Sequence, residues 1–277
     1  MGKFDEKRII VGNDQAHLKE KSYKTAEKLN VRILTHQKYT EPKIDFYNWV
    51  LGQLEWDGTE TVVDVGCGSG LYADKAAKLS THYYACDLSH GMLLDGAANG
   101  HQCVNLDAMT LPLPDDSADV ILANHMIYHI PDQKKGVAEF RRVLKPSGKM
   151  TAVTNADSSM NELKKLRTAA MRRIQPDAVS IERNMVSTNF KLETGDQVLK
   201  TAFATVEKRV LESWLVFPDP QPVIDYIASS RDWWEQVFGD QMSWDQYEAA
   251  LNEILVEHFE SNATFRVNKR SGVFICS

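Results

Sequence analysis

The residues with the clearest chemical purpose in this chain are a glycine turn and the acids spaced after it. The run Val62-Val63-Asp64-Val65-Gly66-Cys67-Gly68-Ser69-Gly70 is a short β-branched stretch ending in an acid and three alternating glycines. Glycine at these places lets the backbone turn sharply and press against a ligand with no Cβ in the way. Apolar residues at helical spacing follow at once: Leu71, Ala73, Ala76, Ala77 and Leu79. A buried parallel strand that passes through a glycine turn into a helix is where doubly wound sheets hold nucleotides. The spacing is Gly-x-Gly-x-Gly behind an acid, not the Gly-x-Gly-x-x-Gly of dinucleotide sites. Asp87 ends the next apolar stretch, where a carboxylate can accept both hydroxyls of a ribose. Asp107-Ala108-Met109 follows a third stretch, and Asn124-His125-Met126-Ile127-Tyr128-His129 follows a fourth.

Positioning these groups on one edge requires alternating strands and helices. Strands are predicted at 61–65, 82–86, 102–105, 118–123 and 149–154. Ser89 is a good N-cap for a helix through Leu94. Pro131-Asp132 opens another helix, with Val137, Phe140, Val143 and Leu144, that stops at Lys145-Pro146-Ser147-Gly148. This alternation predicts a parallel sheet with helices on both faces. Residues 1–57 read as helical and polar, with helices at 16–29 and 44–54. Between 155 and 262 the rhythm breaks into several helices and one strand-like run, 203–211, with Trp214, Trp233, Trp234 and Trp244. The end reads as an antiparallel hairpin: 264–267, a turn at Asn268-Lys269-Arg270-Ser271, and 272–276. The division expected is a core of 58–155 plus 263–277, an N-terminal helical lid of 1–57, and a substrate-binding cap of 156–262.

Bulk properties narrow the partners. The 277 residues carry 32 basic and 38 acidic side chains, a net charge of −6. No basic excess marks a nucleic-acid binder, and Lys164, Lys165, Arg167, Arg172 and Arg173 read as the solvated face of a helix. Cys67, Cys86, Cys103 and Cys276 form no Cys-x-x-Cys pair, which suits a reducing compartment. The first residues lack the apolar segment of a signal peptide, and no apolar run approaches the ~20 residues that span a bilayer. A cytoplasmic monomer or homodimer with no membrane partner is expected.

At this point the chain resembles the class I S-adenosylmethionine-dependent methyltransferases, in particular those of ubiquinone and menaquinone biosynthesis. The resemblance covers roughly residues 60–154. It rests on the Asp64–Gly70 turn, Asp87, Asp107-Ala108, Leu111-Pro112-Leu113-Pro114-Asp115, and Glu139-Phe140-Arg141-Arg142-Val143-Leu144-Lys145-Pro146-Ser147-Gly148. It implies a Rossmann-like, doubly wound α/β sheet of seven strands with an antiparallel C-terminal hairpin and a mainly helical cap. It also implies S-adenosylmethionine as methyl donor, leaving as S-adenosylhomocysteine. Asp64 with Gly66, Cys67 and Gly68 would then hold the methionine part, and Asp87 the ribose diol. Leu88 or Met92 would lie on the adenine. Asp107 would accept the adenine amino group, with the Ala108 or Met109 backbone at the ring. Asn124 and His125 would face the sulfonium. Residues 32–39 resemble the segment that folds over the cofactor in small-molecule members, so Arg32 would meet the cofactor carboxylate and Tyr39 would close the pocket.

Each residue has a plainer reading. Asp64 can anchor a turn, Asp87 can cap the next helix, and Asp107 can close an Asx-turn. The cofactor accounts for all three at once. His129 is the first candidate for a general base, followed by His125, His36, Tyr39 and Tyr128, against a packing role. The four-residue spacing of His125 and His129 suits a metal, but no carboxylate adjoins them and no metal is expected. The tryptophans read as core and lid packing, or as lining of an apolar substrate pocket. No Asn-Pro-Pro-Tyr motif follows the fourth strand, which argues against methylation of nucleobase or glutamine amino groups. The expected acceptor is a small metabolite or natural product, methylated on N, O or C. Two alternatives stand beside this: an NAD-dependent oxidoreductase on a similar sheet, and a non-catalytic S-adenosylmethionine-binding module.

Overall fold

A computed structural model describes residues 27–178 and 189–277. Helix α1 (Glu27–Tyr39) leads into a two-residue strand, β1 (Thr40–Glu41), and then α2 (Phe46–Leu51). The alternating region follows: β2 (Thr61–Val65), α3 (Ala73–Ala76), β3 (His82–Asp87), α4 (His90–Ala98), β4 (Gln102–Asn105) and β5 (Ala118–Leu122). A 3₁₀ turn (Ile127–His129), α5 (Gln133–Val143) and β6 (Leu144–Asn155) complete it. Beyond lie α6 (Asn161–Ile174), α7 (Gly195–Leu199), β7 (Val206–Phe217), α8 (Pro220–Ala228), α9 (Arg231–Phe238), α10 (Trp244–Phe259) and β8 (Phe265–Cys276). The expected helix at 16–29 falls largely outside the described residues.

The strands form one sheet in the order β1-β7-β8-β6-β5-β2-β3-β4. Strands β4, β3, β2, β5 and β6 run parallel, and β8 is antiparallel to both β6 and β7. The β-branched run Val62–Val65 is central because it can be buried on both faces. Val63 and Val65 pack with Ile121 and Phe140 on one side, and Val62 packs with Val120, Leu122 and Leu51 on the other. A second core, centred on Trp234, Phe238, Tyr247 and Leu251, forms among α6, α8, α9 and α10.

The predicted sheet and its antiparallel end are observed, with three corrections. An eighth strand, β1, joins the edge against β7. Residues 268–271 make no turn: β8 runs straight through them, paired residue for residue with β7 from Val206↔Cys276 to Phe217↔Phe265. The antiparallel partner is therefore β7, and α8 to α10 connect the two strands. The strand-like run read at 203–211 is β7 itself, at 206–217. The boundary drawn at 156–262 thus crosses the sheet, because that segment supplies a full strand. The polar run misled because other elements meet it: Asn268 N–H donates to Glu162 Oε2 at 2.9 Å, Asn268 Oδ1 accepts the Asn161 N–H at 3.2 Å, and Ser271 Oγ donates to Asn155 Oδ1 at 2.6 Å.

The Glu139-to-Gly148 run also gains a purpose. Arg142 donates to the carbonyls of Leu113 and Leu111 at 2.9 and 3.0 Å, and pairs with Asp115 and Glu139. Glu139 in turn accepts the Leu111 N–H at 2.9 Å. These two side chains fix the loop that follows Asp107.

The β7–β8 pairing leaves no room for a side chain at Gly272. A Cβ there would stand 2.6 Å from the Arg209 carbonyl oxygen and 2.7 Å from Leu192 Cδ2. Gly272→Ala is expected to destabilise the protein by about 1–3 kcal/mol, an overpacking cost. A lower urea midpoint with an unchanged m-value would show it; an unchanged midpoint would mean that β7 and β8 are less tightly paired.

Candidate active site

The carboxyl ends of β2 to β5 open into a cavity of about 860 Å³ that also reaches α1, α8 and β8. Its size lies in the range of small-molecule sites. Gly66, Gly68 and Gly70 adopt φ of 71°, 58° and 83°, left-handed backbone that glycine enters without steric cost. Gly66 and Cys67 N–H both donate to the Cys86 carbonyl, at 2.7 and 3.0 Å. A Cβ on Gly66 would stand 2.6 Å from Met126 Cβ. Sequence spacing and left-handed backbone therefore agree on why all three are glycine, and close packing adds a further reason at Gly66.

Asp87 faces the cavity from the end of β3. Gly68 N–H donates to its Oδ2 at 2.9 Å, and Ser89 N–H to its Oδ1 at 2.8 Å. Each oxygen keeps further acceptor capacity. Burial raises the Asp87 pKa, against the lowering pull of these N–H groups. Asn105 Nδ2 holds the Asp87 and Leu88 carbonyls at 2.9 Å each, so the whole turn is rigid.

Asp64 is 1% exposed and accepts the Tyr83 hydroxyl at 2.6 Å. Burial lifts its pKa to about 7; the Tyr83 hydrogen bond lowers it and the Asp87 charge adds to the rise. The Tyr72 hydroxyl, also on the cavity, is shielded from solvent and has no hydrogen-bond partner among the described residues. Asp107 lines the cavity while its Oδ1 accepts the Met109 N–H at 2.8 Å. The Asx-turn and the cavity-facing position thus coexist.

After β5, Asn124 accepts the Thr151 hydroxyl at 3.1 Å and leaves its buried Nδ2 without a partner among the described residues. An orphaned buried donor at a cavity wall awaits an acceptor from a ligand. His125 has φ 57°, a backbone state rare outside glycine and typical of functional turns. Burial and Lys269 lower its pKa to about 4, and burial lowers that of His129 to about 4. His36 falls to about 3 through burial, then through Lys269, His125 and Arg32. All three imidazoles are neutral near pH 7. Among the described residues no three His, Cys, Asp or Glu side chains converge on a metal-sized site.

Arg32, Asp64, Gly66, Cys67, Gly68, Asp87, Leu88, Met92, Asp107, Ala108, Asn124, His125 and His129 all line this cavity. Two candidates do not. The Tyr39 ring packs on Phe217, centroids 5.1 Å apart, so it belongs to the second core rather than to the pocket. Met109 lies beyond the wall, packed against the sheet core, with its N–H spent on Asp107. None of the four tryptophans lines the cavity: Trp234 and Trp244 are buried and Trp214 lies under Arg266. Lys269, Ser271, Tyr226 and Tyr72 line it without having been singled out. For Lys269 and Ser271 the signal was their two-residue spacing, which puts both on one face once 265–276 is read as a strand.

Residues 63–152 match the family model of the methyltransferase domain. A demethylmenaquinone methyltransferase of Corynebacterium efficiens is 36% identical over 99 residues, which is 36% of this chain and 43% of that protein. An uncharacterized methyltransferase of Mycobacterium bovis is 30% identical over 118 residues, 41% of this chain and 60% of that protein. In both cases the match spans less than two thirds of the relative's own length. The fold is similar to that of the YcgJ protein of Bacillus subtilis, with TM-score 0.56 and 16% identity over 83% of this chain and 96% of that one. It is also similar to phosphoethanolamine N-methyltransferase 2 of Haemonchus contortus, solved with S-adenosylmethionine, with TM-score 0.57 and 17% identity over 95% and 59%. With the glycine turn, the strand-end acids and the sheet order in place, residues 63–152 are similar to the methyltransferase domain, and the fold around them is similar to that of solved methyltransferases.

Proposed function

We propose that this protein transfers the methyl group of S-adenosylmethionine to a small molecule. The observation that carries the proposal is the Asp87 carboxylate, fixed by two backbone N–H groups and turned to the cavity beside a left-handed glycine turn. In this reading Asp87 takes the ribose diol, Leu88 and Met92 flank the adenine, and Asp107 with the Ala108 backbone meets the ring edge. Asp64 and the Gly66–Gly68 backbone take the methionine end, and Asn124 Nδ2 is a donor at the sulfonium side. Methyl transfer is an in-line displacement at a carbon that the sulfonium makes electrophilic. The protein's part is to hold the acceptor on that axis and to exclude water.

When the attacking atom carries a proton, a base is needed. His129 is the proposed base: it is neutral, half-buried and on the cavity. His125 stands behind it. The acceptor is not carried over from the relatives, because the family match ends at residue 152 while Met160, Tyr226 and Lys269 help line the cavity.

Three measurements test this reading. Asp87→Ala should weaken S-adenosylhomocysteine binding by about 10- to 100-fold, the worth of hydrogen bonds to a charged group. Calorimetry would show it, with NADH as the control ligand; an unchanged Kd would remove Asp87 from the ribose. Asp64 supplies a pH test. Its pKa near 7 means that it is substantially protonated below pH 7, and the cofactor's ammonium stabilises the ionised form. Affinity should therefore rise with pH up to about 7 and then level off, with proton release on binding below that point. Asp64→Asn should abolish both effects. Last, a mass-spectrometric screen of metabolites for gain of one methyl should identify the acceptor. His129→Ala should then lower kcat by roughly 100-fold if the nucleophile carries a proton; near-normal turnover across pH would exclude it as the base.

A further inference from the structure

The charges around the cavity are sorted by end. Four described carboxylates line it: Asp45, Asp64, Asp87 and Asp107. Asp45 is neutralised by Lys75 at 2.6 Å. The other three stand at the β2, β3 and β4 ends, where the proposed cofactor lies. The opposite end is basic. Arg32 and His36 approach it from α1, Lys269 from β8, and His125 from the turn after β5, with the Tyr226 hydroxyl from α8.

Among the described residues these groups have no anionic partner. Lys269 Nζ donates to the Thr40 hydroxyl at 3.0 Å, and among the described residues no carboxylate pairs with Lys269 or Arg32. Arg32 Nε and His36 Nδ1 are shielded from solvent and have no hydrogen-bond partner among the described residues. His36 Nε2 lies 3.4 Å from the Tyr226 hydroxyl. Burial brings Lys269 down to about 8, and Lys269 is itself among the charges that depress His36 and His125. Shielded donors and cations held together without a counter-charge are costly. One face of the β7–β8 ladder builds the floor beneath them: Leu211 pairs with Ser271 and Ser213 with Lys269, and all four line the cavity.

We propose that this basic end is the acceptor subsite and that the methyl acceptor is a small organic anion, carrying a carboxylate or a phosphate that Lys269, Arg32 and His36 hold. The inference rests on the methyltransferase reading above, and it names the acceptor's chemical class. The anion restores the charge balance of the buried cluster and fixes the acceptor beside His125, next to the sulfonium end. An anion placed there also leaves the acidic end free for the cofactor's ammonium and ribose.

The test is calorimetry on the full chain saturated with S-adenosylhomocysteine, using two matched pairs of one-ring probes: benzoate with benzamide, and phenyl phosphate with phenol. At least one anion should bind roughly ten-fold tighter than its neutral partner, and the tighter of the two names the anionic group. Lys269→Gln and His36→Gln, on different elements and each checked for folding by circular dichroism, should each cost the anion roughly ten-fold while leaving S-adenosylhomocysteine affinity unchanged. Equal binding of charged and neutral probes, or no saturable anion binding, overturns the proposal. So does a Lys269→Gln variant that loses S-adenosylhomocysteine affinity, because the cluster would then hold the cofactor's carboxylate. If S-adenosylhomocysteine itself fails to bind, the methyltransferase reading fails, and the same probes on the unloaded chain decide the anion subsite separately.

Discussion

The site depends on two adjacent acceptors at the end of β3. The Cys86 carbonyl takes the N–H groups of Gly66 and Cys67, and the Asp87 carboxylate takes those of Gly68 and Ser89. Three consecutive N–H groups in the turn after β2 are thereby tied to the neighbouring strand, and Ser89 N–H holds the Asp87 carboxylate from its own segment. The turn can close this way because glycine bears φ near +60° to +80° without a Cβ clash. It also explains the size restriction at Gly66, which Met126 from the β5 side packs against. Three strand ends are locked to one another before any ligand arrives, which is the preorganisation that a binding site needs.

The cavity built on this frame has two electrostatic halves. Its acidic half comes from the parallel part of the sheet, where an acid can stand at successive strand ends. Its basic half comes from elements distant in sequence: α1, the turn after β5, α8 and β8. Burial acts on both halves in opposite directions, raising Asp64 and Asp87 and lowering His36, His125 and Lys269. In each case the charged form is the one that suffers from desolvation. A ligand with a cationic end and an acceptor with an anionic end would each find an environment that gains from the pairing.

Legibility in the sequence followed locality. The 61–65 strand, the glycine turn, and the acids at 64, 87 and 107 were readable because their signals are short-range: β-branched runs, glycine spacing and strand-end position. Tyr39 was misplaced because adjacency to Arg32 and His36 says nothing about which side of α1 meets Phe217. The run Asn268-Lys269-Arg270-Ser271 looked like a turn because polar residues usually leave the sheet. Here they stay because Glu162, Ser159 and Asn155 meet them from other elements.

The sequence by itself determined the parallel core and the cavity-facing motifs, since each strand, turn and cap there is encoded in a short local window. Only the tertiary structure decided how β7 and β8 extend the sheet, where the tryptophans go, and which residues form the far wall of the cavity. Those outcomes rest on contacts between residues more than fifty positions apart, such as Ser213 with Lys269 and Lys269 with Thr40. No local pattern carries such pairings, because register and burial arise only when the strands meet.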